Sequence, residues 1–264
     1  MKRTRLFALL AAAMVLSIAP SVVRATPVNH GTFMGDDVWY VDVTEDSGTD
    51  PGSLPLYGTP TVTGNSIDFS PTGFNAYADD TGQSDTTDGT LSFMLQAKDG
   101  FYLATLFLSE AGDTSLGGFS GDAFTSVTAS VFIDILEVDG VPISSVNVPP
   151  VNMVFTPSNG DYQLSTDGGG GPAYDTTWTG SVVVDLGQAL MNGGQPFKYG
   201  ATKVTVTMDN TLKALSQPGA EAFIAKKDVD GLSITPEILD IPEPASALLL
   251  IVGMTTLGVS RRRR

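Results

Sequence analysis

Apolar and polar residues alternate along several stretches between residues 26 and 240. Alternation with a period of two places apolar side chains on one face of a β-strand and polar side chains on the other. Val, Ile, Thr and Phe, which favour strands, fill these stretches. The predicted strands are Thr90–Gln96, Ser126–Leu136, Ser181–Leu186 and Lys203–Met208, with Val38–Val43, Phe101–Ser109 and Glu221–Lys226 as further candidates. Helical signal is nearly absent, and only Leu186–Asn192 is expected to form one or two helical turns.

Turn residues separate the predicted strands. Asp139-Gly140 lies between two strand-like stretches, 133–138 and 141–146, and this pair predicts a β-hairpin because both residues tolerate a positive φ. Gly168 to Gly171, followed by proline, indicates a loop. We therefore expect an all-β fold over residues 26–240, an antiparallel β-sandwich of the jelly-roll or Greek-key kind. A division into two smaller units near Pro149-Pro150 is the alternative.

Residues 1–25 have the pattern of a secretory signal peptide. A basic start that includes Lys2 and Arg3 precedes an apolar run over residues 6–18, and small residues then lead to a predicted cut between Ala25 and Thr26. The apolar run is too short to span a bilayer of about 30 Å hydrocarbon. An uncleaved N-terminal anchor is the alternative.

Three features follow one another at the C-terminus. Pro242-Glu243-Pro244 comes first, then a charge-free apolar stretch over 245–259, and then Arg261, Arg262, Arg263 and Arg264. The apolar stretch predicts a short transmembrane helix of roughly 23 Å, which is a marginal span. Terminal arginines resist export, so they act as a cytoplasmic stop while the body lies outside.

This tail resembles the PEP-CTERM sorting signal, whose region is also labelled ice-binding protein C-terminal. The resemblance covers residues 241–264 and implies cleavage near Pro242, Glu243 and Pro244 by an exosortase-like membrane protease. It further implies passage through the secretion translocon, processing by signal peptidase, and a transient stay in the inner membrane. The released body would then reach the cell surface or the extracellular matrix of a bacterium with an outer envelope. An ordinary tail anchor is the alternative.

Charge excludes one class of partner. Without the two ends, the body over residues 26–241 keeps six lysines against 28 acidic residues, a net charge of −22. Such a surface repels phosphate backbones, so we expect no nucleic-acid partner. The chain has no cysteine, so neither a disulfide nor a thiolate site is available.

Assembled catalytic groups are not visible in the sequence. The single histidine, His30, follows the predicted signal cut closely, where chains usually fray, and no Gly-x-Ser-x-Gly elbow is present. The five glutamates of the body are far apart, although glycoside hydrolysis requires two carboxyl groups across a cleft. We predict a protein that is not an enzyme.

Calcium is the one cofactor that the residues suggest. Asp79, Asp80, Asp85 and Asp88 lie within ten residues of one another in a segment rich in Gly and Thr. Carboxylates on a flexible loop can supply oxygen ligands to Ca²⁺, although aspartate is also a common turn residue. Asp113 and Asp122 flank a second Gly-rich loop and are weaker candidates.

The predicted function combines these observations. We expect an exported, non-enzymatic surface or matrix protein associated with exopolysaccharide or biofilm. The alternative is a carbohydrate-binding module or carbohydrate-active enzyme in the same place. Five aromatic side chains would stack on sugar rings if they were exposed in a row, although Trp and Tyr more often lie in a core; they are Trp39, Tyr40, Tyr77, Tyr174 and Trp178. Three Thr-x-Thr stretches, which begin at Thr61, Thr177 and Thr205, are spaced too unevenly for a regular ice-binding surface.

Overall fold

A computed structural model describes residues 26–50, 52, 55–227 and 231–242. The described residues form strands joined by short turns, with two short helices and one 3₁₀ turn. The strands are β1 (Val28–Met34), β2 (Val38–Asp46), β3 (Thr61–Thr63), β4 (Ser66–Phe69), β5 (Asn75–Ala78), β6 (Ser84–Ala97), β7 (Phe101–Gly118), β8 (Ala123–Val138), β9 (Val141–Asn152), β10 (Val154–Thr156), β11 (Asp161–Gln163), β12 (Ala173–Asp185), β13 (Ala201–Ser216), β14 (Ala220–Lys226) and β15 (Leu232–Asp240). The helices are α1 (Leu164–Asp167) and α2 (Leu186–Asn192), and the 3₁₀ turn is Ser158–Gly160.

The strands form two layers, and every pairing is antiparallel. The first layer has the order β1-β2-β6-β13-β8-β9, with β11 extending the β9 edge. In the second layer β7 lies between β12 and the successive strands β14 and β15. β10 pairs with β12, β5 pairs with β14, and β4 and β3 extend the β15 side. The pair Ala201 and Leu103 joins the layers, so the sheet is continuous and folds over on itself.

The inward faces of the two layers enclose one hydrophobic core. Long strands alternate buried and accessible residues, as in β13, where Val204, Val206 and Met208 are fully buried. The largest buried side chain is Trp178 of β12, which meets Phe155 edge to face at 5.8 Å between ring centroids. Such packing against both layers accounts for the pattern of period two in the sequence.

The all-β antiparallel class predicted from the sequence is confirmed. Each predicted strand falls within an observed one except Ser181–Leu186, whose last residue lies outside β12, and the Asp139-Gly140 hairpin joins β8 to β9. The two turn residues have φ values of 52° and 76°. α2 has the predicted bounds, but the preceding strand ends one residue earlier than predicted. Asp185 ends that strand and accepts a hydrogen bond from Gln188 N, which caps the helix.

Strands from both sides of Pro149-Pro150 share a layer, since β13 lies between β6 and β8. The two prolines lie within the edge strand β9, next to a register shift between Val131 and Ile133 of β8. Proline is tolerated at such a position because an edge strand has one side without ladder hydrogen bonds.

The predicted export signals lie at the two termini of the chain, mostly beyond the residues that the structure describes. The predicted signal peptide, the apolar stretch 245–259, Glu243, Pro244 and the four arginines lie outside the described residues. Thr26 and Pro242 lie inside them, and both are exposed. Among the helices of the described part, none is long and apolar enough to cross a membrane.

Candidate functional site

A row of side chains crosses the outer face of the second layer on four neighbouring strands. The register places Tyr77 of β5 opposite Phe223 of β14, Phe223 opposite Ser115 of β7, and Ser115 opposite Asp175 of β12. Their sequence neighbours, such as Ala222 and Leu116, are buried. Because side chains alternate along a strand, the whole row points away from the core.

The next row along these strands forms a groove. Glu221 of β14 lies opposite Gly117 of β7, which lies opposite Ala173 of β12. Gly117 has no side chain, so a gap remains between larger neighbours. The groove measures about 450 Å³ and includes Tyr77 and Asp175 in its lining. We call this surface the outer groove.

Aromatic and acidic groups meet in the outer groove. The Tyr77 side chain is 50% exposed, and it lines the groove together with the Glu221 carboxylate. Partial desolvation, followed by the negative charge of Glu221, raises the pKa of Tyr77. On the opposite side of the groove, Ser115 Oγ donates to Asp175 Oδ1 at 2.5 Å. The outer groove thus combines an accessible ring face with hydrogen-bond acceptors on both sides.

The aromatic residues singled out from the sequence do not form one exposed row. Tyr40 and Trp178 are buried in the core, and Tyr174 packs partly against it. Trp39 is 39% exposed but belongs to β2 in the first layer, where the Lys98 ammonium lies 5.3 Å from its ring centroid. Of the five, Tyr77 alone lines the outer groove.

The four aspartates of the candidate calcium site do not converge. Asp79 and Asp80 lie in the loop after β5, and Asp79 Oδ1 accepts from Thr81 N and Oγ1. Asp85 and Asp88 lie on β6, where Asp85 accepts from Tyr77 N and Asp88 from Thr211 Oγ1. In the residues that the structure describes, no group of three or more His, Asp or Glu side chains is placed to hold a metal ion.

Asp122, in the second Gly-rich loop, has a structural role. Asp122 accepts hydrogen bonds from Ser165 N, Ser165 Oγ and Gln163 Nε2. Burial opposes ionisation here, but these hydrogen bonds outweigh it and lower the pKa of Asp122. The carboxylate therefore joins the start of β8 to α1. Asp113 lies on the outward side of β7, in the row next to Ser115.

The expectation that His30 frays was wrong. His30 lies on β1, its side chain is nearly buried, and its Nε2 is 2.6 Å from Glu45 Oε1. The other oxygen of Glu45 accepts from the backbone N–H groups of Leu56 and Tyr57 at 2.6 and 2.8 Å. This arrangement ties the edge strand to the segment before β3.

The Thr-x-Thr stretches that begin at Thr61 and Thr177 lie on β3 and β12 of the second layer, with β7, β15 and β4 between them, and the stretch that begins at Thr205 lies on β13 of the first layer. The three stretches do not form one regular array.

Four members of the outer groove were missed from the sequence: Phe223, Ser115, Asp175 and Glu221. Glu221 and Phe223 are outward residues of the predicted strand Glu221–Lys226, but the apolar Phe223 faces outward and Lys226 is buried, so the polar and apolar pattern of this segment does not indicate its outward face. The partners on β7 and β12 depend on register between segments about 60 and about 105 residues apart in the chain. Sequence periodicity does not encode that register.

Neither a protein-family model nor a curated protein sequence matches this chain. Among solved structures, it is similar to the carbohydrate-binding module TmCBM61 in complex with β-1,4-galactotriose, with 11% identity, coverage of 77% of this chain and 86% of that chain, and a TM-score of 0.19. It is also similar to CBM28, a module specific for non-crystalline cellulose, with 9% identity, coverage of 68% and 79%, and a TM-score of 0.23. TM-scores this low carry no argument about fold or function.

Proposed function

We propose that this protein is an exported, non-enzymatic binding protein that holds a neutral polysaccharide in the outer groove. The observation that carries the proposal is the half-exposed Tyr77 ring beside Phe223, with carboxylates on both sides of the same groove. The proposal follows from the chemistry of these groups.

Sugar rings present apolar C–H faces and polar edges, and the outer groove offers partners for both. A Tyr ring has an apolar body and a polar tip, so its exposed face can stack on a sugar while its hydroxyl makes a hydrogen bond. Carboxylates accept strong hydrogen bonds from hydroxyl groups. Glu221 lies beside the Gly117 gap, and Asp175 lies one row along on the opposite side of β7, so the two would bind hydroxyls at two edges of one sugar.

Negative charge favours neutral sugars over acidic ones. Glu221 and Asp175 line the groove, and the whole body carries a net charge of −22. A uronic acid or sulfated sugar would meet like charges at close range.

Binding is favoured over cleavage because the groove acids are exposed. A glycosidase acid requires a carboxyl group whose pKa is raised, usually by burial. Among the described carboxyl groups the pKa of Asp209 is raised, by burial and then by Asp88, and Asp209 lies on β13 of the other layer.

The two ends of the sequence support a place of action outside the cytoplasm. The signal-like N-terminus and the Pro242-Glu243-Pro244 tail support export and sorting by an exosortase-like protease, with release to the cell surface or matrix. Polysaccharide is abundant there, which fits the outer groove. The strand order supports a jelly-roll type of sandwich, since the chain changes layer between β6, β7 and β8.

Titration calorimetry of the purified full chain against neutral and acidic oligosaccharides tests the groove. We expect heat with a neutral oligosaccharide, and about tenfold weaker binding for Tyr77→Ala, because an aromatic contact contributes about 0.5–1.5 kcal/mol. Trp39→Ala is the matched control, since it removes an exposed ring from the other layer.

Equal affinity of the wild type and Tyr77→Ala would place the sugar elsewhere. No heat with any neutral sugar would end the proposal, and release of reducing sugar would favour an enzyme instead.

A further inference from the structure

Three ionisable or amide side chains meet in the core between the two layers. Lys226 of β14 and Glu110 of β7 come from the second layer, and Asn210 of β13 comes from the first. All three are buried, with exposures of 1%, 3% and 0%. Lys226 Nζ lies 2.8 Å from Glu110 Oε2, and Asn210 Nδ2 donates to Glu110 Oε1. The two oxygens of one carboxyl group therefore hold an amine and an amide side by side.

Aromatic rings form the rest of the surroundings of Lys226. Its Nζ lies 5.1 Å from the ring centroid of Phe74 and 5.9 Å from those of Tyr57 and Trp178. Burial lowers the pKa of Lys226, although Glu110 opposes the shift. An ammonium has three N–H donors, but Lys226 Nζ, although 2.8 Å from Glu110 Oε2, has no aligned hydrogen-bond acceptor among the described residues. Loss of a proton from this ammonium is therefore easier than in water, and the resulting free amine is nucleophilic.

The amide partner is also presented unusually. Asn210 Oδ1 is buried and has no hydrogen-bond partner among the described residues. A buried polar atom without a partner is costly, and such a group in a native core requires a reason. Reaction with the neighbouring amine would supply one.

We infer that Lys226 and Asn210 form an intramolecular isopeptide bond, with Glu110 as the proton carrier. This inference is independent of the outer groove. It assigns a covalent modification to the core of a chain that contains no cysteine.

The reaction needs no external reagent. Glu110 takes a proton from the Lys226 ammonium, and the free electron pair of Nζ attacks Asn210 Cγ. Glu110 then delivers a proton to Nδ2, the Cγ–Nδ2 bond breaks, and the departing nitrogen leaves as ammonia. Nζ loses a second proton to this ammonia, so the products are one amide bond and one ammonium ion. Glu110 ends the reaction as it began, and atoms and charge balance.

The product suits the site better than the reactants. A neutral amide N–H replaces a buried ammonium, and this N–H can donate to Glu110. Glu110 contacts both reacting groups and is therefore a catalytic residue in the strict sense, although the reaction occurs once per chain.

Mass spectrometry of the denatured full chain tests the bond directly. Trypsin should yield peptides 204–213 and 214–227 joined through Asn210 and Lys226, at a mass one ammonia below the sum of the two peptides. Without the bond trypsin also cuts after Lys226, so recovery of peptides 204–213 and 214–226 separately, at their unmodified masses, would overturn the inference. An aspartate at position 210 without a link to Lys226 would overturn it as well.

A variant tests the assigned role of Glu110. Glu110→Gln keeps both reacting groups but removes the proton carrier, so we expect loss of the linked peptide. Glu137→Gln is the matched control, because Glu137 pairs with Lys203 at 3.2 Å on the accessible side of the first layer. Linked peptide at the wild-type level in Glu110→Gln would contradict the role of Glu110. If that variant does not fold, the mass of the wild-type chain still decides.

Discussion

At the scale of single residues, close packing in the second layer depends on a missing side chain. Gly112 of β7 faces the core, and a Cβ there would lie 2.1 Å from Trp178 Cζ2 and 2.2 Å from Ala225 O. One contact is with backbone, which cannot move as a flexible side chain can. The Trp178 ring therefore occupies the space that any larger residue at position 112 would need.

We expect Gly112→Ala to lower the free energy of unfolding by about 1–3 kcal/mol, since overpacking forces shifts in a dense core. Urea denaturation measures the change. Gly48→Ala is the control, because a Cβ at position 48 has no neighbour within 4 Å, and its effect should stay within about 0.5 kcal/mol. Similar values for the two variants would show that the core yields freely at Trp178.

Asp139 links the β8–β9 turn to the segment before β13. Its carboxylate accepts hydrogen bonds from the backbone N–H groups of Lys198, Tyr199 and Gly200 at 2.6, 2.8 and 3.0 Å. Partial burial opposes ionisation, but these bonds outweigh it and lower the pKa of Asp139. The folded protein thus favours the ionised form.

The lowered pKa of Asp139 determines how the contribution of these hydrogen bonds to stability depends on pH. A lowered pKa in the folded state gives stability that is present above the unfolded value of about 3.9 and is lost as the pH falls through the folded value. We expect Asp139→Asn to cost about 1–2 kcal/mol at pH 7 and much less once the pH lies below both values. Urea denaturation at the two pH values measures the difference, and an equal cost at both would contradict the role of the charge.

The same residue shows what sequence can reveal at this scale. The hairpin at Asp139-Gly140 was predictable because turn conformation depends on the two residues themselves. The bonds to residues 198–200 were not, because they join positions about 60 apart in the chain. The buried Glu110, Asn210 and Lys226 were hidden for the same reason.

At the scale of elements, local alternation predicted the strands but did not predict which strands pair with one another. Val204, Val206 and Met208 showed that β13 has one buried face, and the structure confirms it. β13 lies between β6 and β8. This strand order depends on how all the strands of the layer pack together, and a short stretch of sequence does not contain that information. The outer groove depends on the same strand order, so the sequence indicated Tyr77 but not the residues beside it.

The gap at Gly117 offers a test at the level of strands. A Cβ at position 117 would lie 3.2 Å from Glu221 Oε1. We expect Gly117→Val to fill the outer groove and weaken binding of a neutral oligosaccharide at least tenfold, without loss of stability, because Val favours strands. Ser109→Val, on the same strand but outside the groove, should bind as the wild type does. Calorimetric titration compares the two, and unchanged affinity in Gly117→Val would exclude the groove as the site.

At the scale of the whole molecule, the two layers are held by core packing, and the isopeptide bond would add a covalent link between them. A link between positions 210 and 226 closes a short loop, and closing a loop of about 15 residues contributes about 3 kcal/mol. Replacement of a simple buried ion pair by less polar groups is often neutral or stabilising. A core with the isopeptide bond and a core with only a buried ion pair therefore predict different stabilities for a variant that lacks both Lys226 and Glu110.

We expect the free energy of unfolding of the double variant Lys226→Met and Glu110→Gln to be about 3 kcal/mol lower than that of the wild type. Chemical denaturation measures this, and the pair Lys203→Met with Glu137→Gln on the first layer serves as the control. A core double variant as stable as the wild type would indicate an ion pair without a covalent bond.

Net charge gives a further expectation for the whole body. A neutral polysaccharide should bind with little dependence on salt, because no ion pair forms, whereas a polyuronate should not bind at low salt. Affinity electrophoresis of the full chain at low and high ionic strength distinguishes the two. Retardation by the polyuronate would contradict the preference for neutral sugars.

The position of β13 has a consequence for the timing of folding. The first layer cannot close before residues 201–216 are available, since β13 fills the space between β6 and β8. Contacts over such long separations form slowly. During synthesis the strands before residue 201 therefore remain an incomplete sheet with open edges, which delays folding until most of the polypeptide has emerged. A chain that folds late stays unfolded for longer, and passage of a polypeptide through a narrow pore requires it to be unfolded.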